Sequence, residues 1–171
     1  MSLSLYDASI PTFVHSLRAL QAILDKAVAH AETRKFDPNV FVSVRLYPDM
    51  LPFSRQIQIA SDAAKGAAAR LSGTEPPKFE DNETTMAELI ARVTKTIDYL
   101  EGFNPQQFEG DDNRVITIKT PRTSLSFKAT DFVRHWALPN FFFHVTAAYA
   151  LLRHGGVEIG KLDFLGPIPQ A

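Results

Sequence analysis

Asn140 and His144 lie four residues apart in the run Leu138-Pro-Asn-Phe-Phe-Phe-His144. A helix there presents both on one face, one turn apart. Two side chains at that spacing are a standard way for a helix to offer a pair of metal ligands. Asn is a poor ligand beside His, because its neutral amide oxygen binds soft and borderline ions weakly. Hydrogen bonding is the other chemistry open to this face. A neutral imidazole carries one donor and one acceptor nitrogen, and a side-chain amide carries both functions. Gln56 stands beside Phe53 and Ile57. Facing inward, it needs a partner, and a hydrogen bond to His144 across the molecule is the expected one. The candidate pocket is therefore Gln56, Asn140 and His144. His144 is its one candidate metal ligand, and no catalytic residue is assigned.

The other four histidines do not join this set. His144 and His154 are ten apart, about 280° around a helix at ~100° per residue, so they do not share a face. His154 reads as a helix C-terminal capping residue, and His30 lies at the end of the first helix, where it could favour the helix's negative pole. His15 falls near the core stripe between Phe13 and Leu17, and the direction of His135 before Pro139 is open. Asp49 is expected to cap the second helix. Arg45, Arg55 and Lys65 could form an anion site, but a solvated surface is the expected reading. No phosphate loop, nucleophile elbow or dinucleotide fingerprint is present.

Amphipathic helices must position these groups. Ile10, Phe13, Val14, Leu17, Leu20, Leu24, Ala27 and Val28 fall at three-and-four spacing, which predicts a first helix over Leu3 to Ala31. Pro11 suits only a first turn, so the regular helix is expected to begin near Ser9. Val40 to Tyr47 is β-branched and apolar, yet no partner strand lies near in sequence. An ordered crossing segment is expected there. A second helix carries the stripe Phe53, Ile57, Ala60, Ala64, Ala67 and Leu71 within an alanine-rich stretch that lets a neighbour approach closely. Ser72-Gly73 stops it. Thr85-Met-Ala-Glu88 has the form of a capping box ahead of Met86, Leu89, Ile90, Val93, Ile97 and Leu100.

Arg114 to Lys119 and Ser124 to Lys128 alternate, with Thr120-Pro-Arg-Thr123 as a turn between them, and predict a two-stranded hairpin. Thr130-Asp131 should cap a short helical piece through Ala137. Pro139 then starts or kinks a fourth long helix that ends at Gly155-Gly156. The remainder, Val157 to Ala171, should pack along the outside. The expected fold is an all-α four-helix bundle with a small β-hairpin in the connection before the last helix.

A chain of 171 residues, 45% hydrophobic and 22% charged, fits a single domain over 1–171 with a sizeable core. The formal net charge is -1, which gives no broad footprint for nucleic acid or an anionic membrane. There are no cysteines, so disulfides, thiolate metal sites and a cysteine nucleophile are excluded. No signal peptide is read at the N-terminus, and the apolar run after Leu138 is too short and too interrupted to span a bilayer. A cytoplasmic location is expected.

Certain stretches point further. Leu46-Tyr-Pro-Asp-Met-Leu-Pro-Phe-Ser-Arg-Gln56, Ala60-Ser-Asp-Ala-Ala-Lys65 and Leu138-Pro-Asn-Phe-Phe-Phe-His144 are three of them. Leu152-Arg-His-Gly-Gly-Val157 and Gly160-Lys-Leu-Asp-Phe-Leu-Gly166 complete the set. Together they resemble a domain-of-unknown-function family within the DinB/YfiT-like superfamily of four-helix bundles, over nearly the whole chain. The resemblance implies three histidines around a divalent metal, nickel or zinc. One would come from helix two, and two from a His-x-x-x-His on helix four that runs into Leu-Arg-x-x-Gly. Leu152-Arg153-His-Gly-Gly156 matches that ending. Nine residues back from Arg153 stands His144, and the first ligand position falls on Asn140. The helix-two position falls on Gln56. Amides thus hold two of the three ligand positions.

By resemblance, the chain is expected to be a small-molecule-binding or interaction bundle with a degenerate metal site. Its cofactor would be none, or a weakly bound nickel or zinc. The alternative is a divalent-metal-dependent enzyme, akin to the superfamily's thiol-dependent transferases, using His144. A homodimer and a small-molecule ligand are the partners the resemblance implies, with neither nucleic acid nor membrane among them.

Overall fold

The computed structural model describes residues 3–110, 114–119 and 123–168. Four long helices form its frame: α1 (Leu5–Arg34), α2 (Phe53–Ser72), α3 (Met86–Glu101) and α5 (Leu138–His154). A short α4 (Ala129–Phe132) precedes α5, and a short α6 (Lys161–Leu165) follows it. Strands β1 (Val115–Lys119) and β2 (Ser124–Lys128) pair antiparallel ahead of α4, with Ile116 opposite Phe127 and Ile118 opposite Leu125. This is the expected bundle with its hairpin. Residues 120–122 of the expected hairpin turn lie outside the described residues.

Helix α1 starts four residues earlier than Pro11 suggests. The Ser4 side chain caps the Asp7 N–H at 3.0 Å, and the helix runs from Leu5 straight through Pro11. The proline removes one backbone donor and crowds the preceding turn. Burial of Leu5, Ser9 and Ile10 anchors that turn against the core. The Ser9 hydroxyl donates to the Leu5 carbonyl at 2.6 Å within it.

The crossing segment holds no strand. Residues Pro38–Ser43 form a 3-10 helix that buries Phe41, and the Asn39 side-chain oxygen accepts the Met86 N–H at 2.9 Å. Asp49 does not cap α2: it is exposed, and Pro52 takes the N-cap position without a side-chain bond. Tertiary contacts supply what a cap would. The Phe53 N–H donates to the Val44 carbonyl at 2.9 Å, so the crossing segment itself satisfies the helix start. Phe53, Ile57, Ala60, Ala64, Ala67 and Leu71 are all buried as the stripe predicts. Gly73 closes the helix at φ 72°, the left-handed conformation that favours glycine.

The capping box of α3 is present. The Glu88 N–H donates to the Thr85 hydroxyl at 3.2 Å, and the Thr85 N–H donates to the Glu88 carboxylate at 3.0 Å. Arg92 is a core residue that the apolar stripe alone does not reveal. Its Nη2 lies 3.0 Å from both Asp62 and Asp81, and its Nη1 lies 2.8 Å from Glu83 and 2.9 Å from the Glu80 carbonyl. Lys65 belongs to the same network, so its expected solvated role is corrected. It is buried, pairs with Asp62 at 2.7 Å and stands 4.2 Å over the Phe79 ring. Arg55 joins through Asp81 at 2.6 Å. Arg92 thus ties the loop between α2 and α3 to both helices.

Thr130-Asp131 does not cap a separate piece. The chain is helical from Ala129 into α5 through a π-turn at Val133–Ala137, where the Leu138 N–H reaches back to the Val133 carbonyl. Pro139 explains the widened turn, since it has no N–H to continue the regular ladder and its ring needs room. After α5 the chain turns at Gly155 and Gly156, and α6 lies on α1. There His15 Nε2 is 2.6 Å from the Leu165 carbonyl oxygen, and Lys26 pairs with Asp163 at 2.6 Å.

Replacing Arg92 with leucine leaves Asp62, Asp81 and Glu83 without their shared cation. The partners are partly solvated, so the expected loss is near the lower end for a broken buried pair, about 3 kcal/mol by urea unfolding. Arg18→Ala, which breaks an exposed pair with Glu101, should change stability little.

Candidate functional site

Helices α2 and α5 form the most extensive helix pairing of the bundle. Gln56 sits in the first turn of α2, 2% exposed, and His144 in the second turn of α5, 8% exposed. They meet as the sequence suggests, with His144 Nδ1 2.7 Å from Gln56 Oε1. The other end of the Gln56 amide fixes the polarity of that bond. Gln56 Nε2 donates to the Leu51 carbonyl at 2.9 Å, a group that can only accept. Gln56 Oε1 must therefore face His144, and Nδ1 must carry the proton. In its neutral form the imidazole then keeps its lone pair on Nε2. Burial, which disfavours the charged form, holds the His144 pKa below its ordinary value. Nε2 has no hydrogen-bond partner among the described residues.

Asn140 is placed differently. It is half-buried one turn before His144 and opens onto a neighbouring cleft of about 170 Å³. Ile59, Asp62 and Ala63 of α2 form one wall, and Phe132, Trp136 and Ala137 approach from the other side. Ala67 and Arg70 of α2 and Ile118 of β1 complete the lining. The order of these contacts shows α2 and α5 running antiparallel. Gln56 meets His144, and the α2 residues that follow it, Ile59 to Arg70, line the cleft together with the residues that precede His144, Phe132 to Asn140. Of the three candidate residues, two touch and the third lines the adjoining space.

A three-ligand metal centre does not fit this donor set. The Gln56 oxygen is taken by the His144 N–H, Asn140 offers only an amide, and His144 contributes a single nitrogen. No cluster of three His, Asp or Glu side chains suited to a metal ion is found among the described residues. The remaining histidines stand elsewhere. His15 is on the α6 contact, and His30 packs edge-on to Phe36 at 5.9 Å. His135 and His154 are exposed, and Gly155 rather than His154 holds the C-cap.

Arg70 and Trp136 escape a search for histidine spacing. A glycine inside the alanine-rich helix, Gly66, is the sequence signal that points to Arg70, four residues on.

Residues 5–165 match the family model described as a domain of unknown function, DUF1993. The chain belongs to the DUF1993 family. Among solved structures, it is similar to a DinB family member protein from Shewanella denitrificans. The identity is 43% over 98% of this chain and 94% of that one, with a TM-score of 0.88. No curated protein matches. The DinB-like bundle of this DUF1993 chain therefore stands on both family and fold.

The neutral histidine gives this DUF1993 chain a pH signature. Unfolded, His144 titrates near its ordinary value of about 6.5; folded, it takes its proton at lower pH. The unfolded state binds more protons between the two values. Stability contributed by the neutral form is thus present above about pH 6.5 and is lost as pH falls toward the folded pKa. Urea unfolding from pH 7.5 to 5 should show this loss, with a slope of at most about 1.4 kcal/mol per pH unit for one proton. His144→Gln should flatten that part of the profile.

Proposed function

We propose that this chain binds a small organic molecule between α2 and α5, at a place where its relatives' superfamily carries a metal. The observation that supports this reading is the division of labour along the groove. Gln56 and His144 satisfy each other, while Asn140 opens onto an adjoining cleft with mixed aromatic and polar walls. Such a cleft, with a few polar groups among apolar ones, is the usual character of a small-molecule site. The metal site is degenerate on this reading. Metal analysis of protein purified without a nickel column should find nickel and zinc far below one per chain. Stoichiometric metal that disappears in His144→Ala would contradict it.

The alternative is an enzyme in which His144 is a metal ligand or a general base, with Gln56 and Asn140 orienting a substrate. The unpartnered Nε2 supports it, because a neutral imidazole with a free lone pair can accept a proton or hold a ligand.

We also propose a cytoplasmic, single-domain protein that pairs as a homodimer. No helix among the described residues is long and apolar enough to cross a membrane. Support for pairing comes from an exposed apolar face of α5 and the crossing segment. Phe143 is 58% exposed and Tyr47 66%, and Leu46, Met50, Phe142 and Phe143 line one groove. Apolar patches of this kind mark interaction surfaces. Light scattering should report a dimer, and Phe143→Asp should shift it to monomer with the helical circular dichroism unchanged. A wild-type monomer at high micromolar concentration would contradict the pairing.

A further inference from the structure

Arg70 is the cation of the α2–α5 cleft that has no acidic partner among the described residues. Its half-buried guanidinium makes one hydrogen bond, from Nη1 to the Gly66 carbonyl at 2.8 Å. Gly66 is what allows it to lie there. A Cβ on residue 66 would stand 2.5 Å from Arg70 Nη1, so the guanidinium would have to shift to make room. Glycine inside a helix weakens it relative to alanine. Here the flanking run is Ala63-Ala-Lys-Gly-Ala-Ala-Ala69. Helix propensity is given up at the one position where the guanidinium folds flat against the backbone.

The charge of the cleft is left positive at this end. Asp62 also lines it, but Asp62 Oδ1 carries both Lys65 at 2.7 Å and Arg92 at 3.0 Å. Four of the five N–H donors of Arg70 remain for a ligand, in the planar fork that suits a carboxylate. The opposite wall is aromatic, with Trp136 held against Phe127 at 5.9 Å. Asn140 adds a side-chain amide that makes no hydrogen bond among the described residues. The volume of about 170 Å³ is close to that of roughly 150 Å³ known to hold a benzene ring.

We propose that this cleft binds a small carboxylate with a flat apolar body, its anionic head on Arg70 and its ring beside Trp136. The inference rests on the small-molecule reading above and adds the charge and shape of the ligand.

Trp136 is the sole tryptophan, so its fluorescence reports occupancy directly. Benzoate and benzamide are the probes, equal in shape and different in charge. Benzoate should change the emission saturably and bind at least about tenfold more tightly than benzamide, the scale of a hydrogen bond to a charged group. Arg70→Gln should abolish that preference. Gly66→Ala should do the same by displacing the guanidinium, while its melting temperature holds or rises. That combination separates positioning from damage to the fold. Equal binding of benzamide and benzoate overturns the anion assignment and leaves the small-molecule reading standing. An unchanged benzoate preference in both variants also overturns it. No saturable change with either probe overturns both readings.

Discussion

The Gln56 amide has to be satisfied at both ends inside a helix interface. A buried polar group left without a partner costs about 1–3 kcal/mol, so the helices must meet where the amide finds its two bonds. The Leu51 carbonyl receives its N–H, and the His144 N–H fills its oxygen. The first bond fixes how the crossing segment enters α2. The second fixes the rotation and depth of α5 on α2. Once that register is set, Asn140 falls one turn along and Trp136 another turn beyond, in the cleft that Arg70 also lines. The cleft is a consequence of one amide–imidazole pair.

The same pair changes what the position can do. Around a metal, three imidazoles would each direct a lone pair inward. Here an amide oxygen receives a proton from the one imidazole, and the remaining lone pair belongs to Nε2 alone. Burial keeps that ring neutral. The buried charges of the molecule, Arg92 and Lys65, meet Asp62, Asp81 and Glu83, with Asp62 also on the wall of the cleft. That network engages the Asp62 carboxylate and leaves Arg70 without an acidic partner among the described residues.

Much of this was legible in the residues. Stripes at three-and-four spacing locate the first three long helices, because burying one face is what makes a helix stable in a protein, and Pro139 and Gly155-Gly156 bound the fourth. The Gln56–His144 bond follows from two polar side chains on facing apolar stripes, each requiring a partner. Local rules failed where tertiary contact replaced them. Pro11 stays inside α1 because Leu5 and Ile10 are buried, and Asp49 loses the cap of α2 because Val44 supplies the acceptor. Lys65 reads as solvated by residue type and Arg92 lies outside the apolar stripe, and only the three-dimensional proximity of three carboxylates offsets the cost of their burial. Arg70 was hidden because its position depends on the absence of a side chain at Gly66.

The protonation of His144 at neutral pH tests the central geometry most directly. Long-range proton–nitrogen correlation spectra of the imidazole distinguish its two neutral forms from the cation. The Gln56 bond requires the proton on Nδ1, burial favours the neutral ring with a bare Nε2, and that pattern should disappear in Gln56→Leu. A bare Nδ1 with the proton on Nε2 would contradict the Gln56–His144 pairing from which the cleft is built.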